Sequence, residues 1–222
     1  MSEDEAGNAL PSAEHHEGGF RPMSELMNQI RSVDTSRGGP HYGDFVEQVR
    51  TLMDRARLAV PPDDLVQEAA GILEKLNDRL GAHVHEEWDA PGWTRFDLPS
   101  RGNVTLPPYH VDHAKPDGVE ARITYRTFHL GGNAAAHGGY VSLGFDDLMG
   151  LAGSLYSGSV TRTASLTVDY RAITPLNKEL QLRAWGERQE GRKVWIKATL
   201  HDGDLLCAEA HGLFIVLKPG QP

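Results

Sequence analysis

Apolar residues along the first third of the chain recur at helical intervals. Between Asp44 and Val60 the positions Phe45, Val49, Leu52, Met53 and Ala56 are three or four residues apart, the mark of an amphipathic helix, and Pro61 and Pro62 end it. A second helix is predicted from Asp63 to Leu80, with Leu65, Ala69, Ile72, Leu76 and Leu80 on one stripe and acids in its first turn. Lys75 and Arg79 stand toward its end, and Gly81 is a natural stop. Such stripes are expected to pack on the main domain or on each other. Residues 81–118 carry Pro91, Pro99, Pro107, Pro108 and Pro116 among glycines and single aromatics, which predicts an irregular linker with a short strand near Trp93–Leu98.

The period then falls to two. Val119, Ala121, Ile123 and Tyr125 alternate with polar residues, as do Ala164, Leu166, Val168 and Tyr170, and Val194, Ile196, Ala198 and Leu200. Further strands are expected at about 178–188 and 204–217, separated by turn signals at Pro175–Asn177, Glu190–Gly191 and Asp202–Gly203. Residues 138–158 interrupt this series. Their apolar side chains Val141, Leu143, Phe145, Leu148, Met149 and Leu151 surround almost the whole helical circumference, as in a helix buried within a core. One buried helix inserted into a four- or five-stranded antiparallel sheet is an α+β pattern. The expected organisation is a disordered tail over 1–40, where large apolar residues are few, a helical extension over 41–92, a linker or edge segment over 93–118, and the main domain over 119–222.

Charge and cysteine content narrow the chemistry. A formal charge of −9 disfavours nucleic acid, whose phosphates need a basic footprint. Cys207 is the one cysteine, which excludes an intrachain disulfide and a multi-cysteine zinc site. No HExxH occurs, and the pairs His15/His16, His83/His85 and His110/His113 lie in polar, loop-like stretches, so no metal is expected. The chain shows neither a basic start with an apolar run nor about 20 consecutive apolar residues, so the cytoplasm is the default address and no membrane span is expected.

Asp146 and Asp147 stand out in the otherwise apolar helix, because an unpartnered buried carboxylate is costly. Just upstream, Asn133 and three alanines lead to His137-Gly138-Gly139 at the helix start. Glycines there allow close approach to the backbone, and the first helical N–H groups lack intrahelical acceptors and carry the positive end of the dipole. That is an oxyanion cradle in outline. An ordinary turn and a solvated acid would explain each feature taken alone.

Taken together, His137-Gly138-Gly139, the spaced Asp146 and the run Thr163-Ala-Ser-Leu-Thr-Val-Asp-Tyr170 resemble the hotdog-fold acyl-CoA thioesterases of the phenylacetyl-CoA thioesterase type, within the 4-hydroxybenzoyl-CoA thioesterase superfamily. The likeness is strongest to the long branch with an N-terminal helical extension, and it continues through Pro175-Leu176, Glu190-Gly191-Arg192-Lys193 and Ala208-Glu209-Ala210. It implies hydrolysis of an acyl-CoA thioester with no cofactor, coenzyme A being part of the substrate. It also implies Asp146 as general base or nucleophile, the Gly138 N–H as oxyanion donor, His137 at the thioester carbonyl and Thr163 positioning the carboxylate or water. Gly139 and Asn133 fall beside the acyl carbonyl. Arg192 and Lys193 are candidates for the coenzyme A phosphates, because Arg171 should turn to the other face of its strand. Asp147 competes with Asp146 for the family position, and its expected place is against solvent or a partner subunit.

Gly138 and Asp146 are eight residues apart, about 12 Å along one helix, too far to meet at one carbonyl carbon. Two chains must then build each site, which agrees with the homodimers, sometimes dimers of dimers, of hotdog proteins. A catalytically silent acyl-CoA-binding hotdog protein is the alternative from another class, and a hydratase or dehydratase on the same fold would need a different His/Asp arrangement.

Overall fold

The computed structural model describes residues 35–86 and 89–218. The remainder of the expected tail, residues 1–34, lies outside them. Residues 35–40, also assigned to the tail, include turns at 36–38 and 40, and the Arg37 and Gly39 carbonyls accept from the buried Arg95 guanidinium at 3.2 and 2.8 Å.

Two helices open the fold. α1 (Tyr42–Leu58) is fastened largely by polar groups. Arg50, 2% exposed, donates to the Asn103 carbonyl at 2.8 Å. The Asp54 carboxylate accepts from the Phe128 amide at 3.0 Å and pairs with Arg126 at 2.7 Å. α2 (Asp63–Gly81) follows with the expected boundaries but not the expected packing: it has no buried residue, and its apolar stripe faces outward.

No strand forms at Trp93–Leu98. Pro91–Trp93 is a 3-10 turn, and the Arg95 and Leu98 amides bond back to the Pro91 and Arg95 carbonyls at 3.0 and 2.9 Å, local bonds that compete with a ladder. The edge strand of this segment is β1 (Tyr109–Lys115), which carries His110 and His113, read in sequence as loop-like. Only Tyr109 of β1 is buried and a register irregularity lies between Val111 and His113, so its alternation is hidden in the sequence.

The remaining strands are β2 (Gly118–Thr124), a short hairpin β3 (Leu130–Gly132) and β4 (Ala135–Ala136), β5 (Thr161–Tyr170), β6 (Glu179–Glu190), β7 (Lys193–Asp202) and β8 (Leu205–Val216). Six of them form one antiparallel sheet in the order β1-β2-β6-β7-β8-β5, larger than the four or five strands expected because β1 was not legible. α3 (Gly138–Ser157) lies against one face, ending at Gly158 in the left-handed region (φ 68°). Phe145, Leu148 and Met149 of α3 pack with Ile123, Leu182 and Phe214 from the sheet, all fully buried. At about 1.5–3 kcal/mol for each large apolar side chain, this layer is the main source of stability.

Candidate active site

The segment before α3 is more regular than its alanines suggest. β3 and β4 form a hairpin whose turn residues, Asn133 and Ala134, both have positive φ (47° and 58°). Asn133 is at the exposed tip. The Ala136 amide bonds to the Thr174 carbonyl at 2.9 Å and the His137 amide to the His129 carbonyl at 2.8 Å, which together set where the helix begins.

His137 is the N-cap of α3. Its Nδ1 accepts from the Gly139 amide at 3.0 Å, so the neutral ring carries its proton on the exposed Nε2, available as an outward donor. Gly138 occupies the first helical position, where the amide has no intrahelical acceptor. Tyr170 of β5 closes over this turn. Its hydroxyl donates to the Gly138 carbonyl at 2.8 Å and lies 2.9 Å from Ser142 Oγ, which is then the donor of that pair. A Cβ at position 138 would stand 2.9 Å from the Tyr170 hydroxyl oxygen, so the clamp requires glycine.

Gly138, Ser142 and Asp146 are four residues apart and share the face of α3 that runs along β5. At its far end Thr163 Oγ1 donates to Asp146 Oδ1 at 2.8 Å. Thr163 and Tyr170 are seven residues apart and would point to opposite faces of a regular strand. A register shift between Thr163 and Ser165 places an extra residue, Ala164, in β5, so Thr163 pairs with Phe214 and Tyr170 with Ala208, both core-facing. The bulge thus turns both hydroxyls toward α3.

Asp147, expected against solvent or a partner subunit, is instead held within its own chain. Arg101 engages it in a bidentate pair, Nη2 to Oδ1 at 2.8 Å and Nη1 to Oδ2 at 3.1 Å, and the Tyr109 hydroxyl donates to Oδ2. Arg101 reaches it from a left-handed backbone pair, Ser100 and Arg101 (φ 49° and 57°). That bend is anchored by Ser100 Oγ, which donates to the Pro107 carbonyl at 2.6 Å and accepts from the Tyr109 amide at 3.0 Å. Sequence reasoning missed Arg101, Tyr109, Ser142 and the hydroxyl of Tyr170. The one available signal was an acid in an apolar helix that needed a cation.

Arg192 lies in the β6–β7 turn, donating through Nε to the Val216 carbonyl at 2.8 Å. Lys193 is across from Ile215, itself across from Arg162, so Lys193 and Arg162 share the outer face of the sheet two strand spacings, about 10 Å, apart. Thr163 faces the opposite side. Arg171 turns outward as alternation required, pairing with Glu209 at 2.7 Å. His129, beneath the cradle, is fully buried between the rings of Phe128 and Tyr140, and burial holds its imidazole well below the usual range, at about 4. Among the described residues no cluster of three or more His, Cys, Asp or Glu is placed to hold a metal ion, and no helix is long and apolar enough to cross a membrane.

Among solved structures, the crystal structure of a thioesterase superfamily protein superposes with a TM-score of 0.68, covering 82% of this chain and 94% of that one at 24% identity. The chain has the hotdog fold. The covered share exceeds the sheet and its helix, so the likeness of the hotdog domain extends into the N-terminal extension; at this identity it carries the fold alone. No family model matches. Of curated proteins, acyl-coenzyme A thioesterase THEM4 of Xenopus laevis is 39% identical over 85 residues, 37% of this chain and 38% of that protein. THEM4 of Rattus norvegicus is 31% identical over 88 residues, 39% of this chain and 37% of that protein. Each match therefore spans less than two fifths of the curated relative.

Proposed function

We propose that this hotdog protein hydrolyses acyl-CoA thioesters to a free acid and coenzyme A. The observation that carries the reading is the Asp146 carboxylate held by Thr163 on the same helical face as the Gly138 turn. The partial likeness to proteins named acyl-coenzyme A thioesterase supplies the substrate class.

In this reading two subunits build each site, because Gly138 and Asp146 are about 12 Å apart on one helix. β5 ends the sheet with Thr163, Ala164, Ser165 and Thr167 exposed, an edge suited to pairing with a second copy. Asp146 takes a proton from water as its oxygen attacks the thioester carbonyl carbon, and the partner subunit's Gly138 amide holds the oxyanion. The C–S bond then breaks, the thiolate leaves, and the Asp146 carboxyl returns the proton to sulfur. Direct attack by Asp146 through a mixed anhydride uses the same geometry, with water opening the anhydride afterwards. His137 Nε2–H is a second donor to the carbonyl, Gly139 and Asn133 border the acyl group, and Arg192 in the β6–β7 turn is the candidate for the phosphates, since Lys193 lies on the sheet face opposite Thr163.

The test is free-thiol release from short, long and aromatic acyl-CoAs by the purified protein and its Asp146→Asn variant. Hydrolysis by the wild type that falls by about 100-fold or more in the variant is the expected result. Binding of acyl-CoA without thiol release by either protein would replace this reading with that of a silent acyl-CoA-binding protein.

A further inference from the structure

We propose that α2 is a self-association surface that pairs antiparallel with α2 of a second copy of the chain. The helix has 19 residues, Pro62 at its N-cap with no side-chain cap, and no buried residue. In proteins most helical stability comes from packing an apolar face, and α2 packs none of its own. The stripe it carries is strongly apolar: Leu65 is 48% exposed, Val66 47%, Ile72 59%, Leu76 38% and Leu80 40%. Contiguous apolar exposure of this kind marks an interaction site. The spacing of Leu65, Ala69, Ile72 and Leu76, alternately four and three residues, is that of a helix-pairing seam.

Charge selects the occupant. α2 carries five acids (Asp63, Asp64, Glu68, Glu74 and Asp78) against Lys75 and Arg79, so an anionic membrane surface is repelled. Asp63, Asp64 and Glu68 occupy its first half and both bases its second. A parallel pair would set the acidic halves and the like ends of the two dipoles together. An antiparallel pair with Leu65 across from Leu80, and Ala69 across from Leu76, brings Arg79 and Lys75 within two residues, about 3 Å along the axis, of the positions level with Asp64 and Glu68, with the dipoles opposed. One register thus joins both apolar layers and keeps each acid within side-chain reach of a base. This contact uses neither β5 nor the cradle, and it holds whether or not the chain is a thioesterase.

Cys207 is buried and is the one cysteine of the chain, so introduced cysteines report cleanly with a short bis-maleimide. In the full-length protein, Leu65→Cys mixed with Leu80→Cys is expected to give covalent pairs, with little linkage from either variant alone, and Ile72→Cys is expected to link to itself. Ile72→Glu should lower the assembly mass two-fold in light scattering while circular dichroism keeps its helical signal. Self-linkage of Leu65→Cys, which marks a parallel pair, would overturn the proposal, as would no intermolecular linkage at any position. A single-chain mass for the Ile72→Cys variant, with the introduced thiol shielded from a mono-maleimide, would assign the stripe to another part of the same chain, also overturning it.

Discussion

On the β5 side of α3, Asp146 receives one hydroxyl bond, from Thr163. On the β1 side, Asp147 receives a bidentate guanidinium and a phenol. The two acids are adjacent, in one helix and one sheet packing, yet only the first keeps most of its lone pairs for water or substrate. Asp147 has spent its acceptor capacity on Arg101 and Tyr109, and its charge is balanced. Position in the helix gives the two acids different neighbours, about 100° apart around the axis, and the neighbours decide that one carboxylate stays largely open and the other is tied into the fold.

The largest effect that separates the two sides is on rate. Asp146→Asn should lower thiol release by about 100- to 10,000-fold and leave the urea midpoint within the scatter of surface substitutions, whereas Asp147→Asn should do the reverse. Equal loss of rate in both variants would erase the distinction.

On the structural side, Arg101→Ala leaves Asp147 without its cation at a site where the two side chains are only 16% and 21% exposed, and should cost about 3 kcal/mol in chemical denaturation. Arg101→Met combined with Asp147→Leu should recover much of that loss, because no unpaired charge remains. A double variant no more stable than the single one would show that the pair acts through something other than its charges.

Lowering pH disturbs the cradle end without mutation. Burial lowers the His129 pKa to about 4 in the folded protein, while the unfolded chain takes up its proton near the usual 6.5. The unfolded state therefore binds more protons between those values, and stability present above pH 6.5 should be lost as pH falls toward 4, by up to about 3 kcal/mol. His129→Gln should flatten this segment of the stability profile; an unchanged slope would move the titration to other groups. The smallest effect is expected at Tyr170→Phe, which removes the clamp on the Gly138 turn and should cost about 1 kcal/mol, seen as faster amide exchange in the first turn of α3.

Both N-terminal helices, the late strands and the central helix were legible in the sequence because each rests on a local period of apolar residues. Legible too were the cradle glycines and the pair of acids, since small residues and charges in an apolar run stand out without knowledge of the fold. β1 was not, because an edge strand buries one residue and can carry His and Asp elsewhere. Neither was the role of Arg101, since nothing local connects a left-handed bend at 100–101 to an acid 46 residues later.

Periodicity by itself determined the two N-terminal helices, the order of β2, α3 and β5 to β8, the α+β class and the place of the acidic pair within a buried helix. Only the tertiary structure decided which acid is paired, because that depends on what packs against each face of α3. It also decided the orientation of Thr163: strict alternation would turn it from the helix, and the bulge at Ala164, defined by pairing with β8, brings its hydroxyl to Asp146. Nonlocal pairing sets register, and register sets which side chains meet.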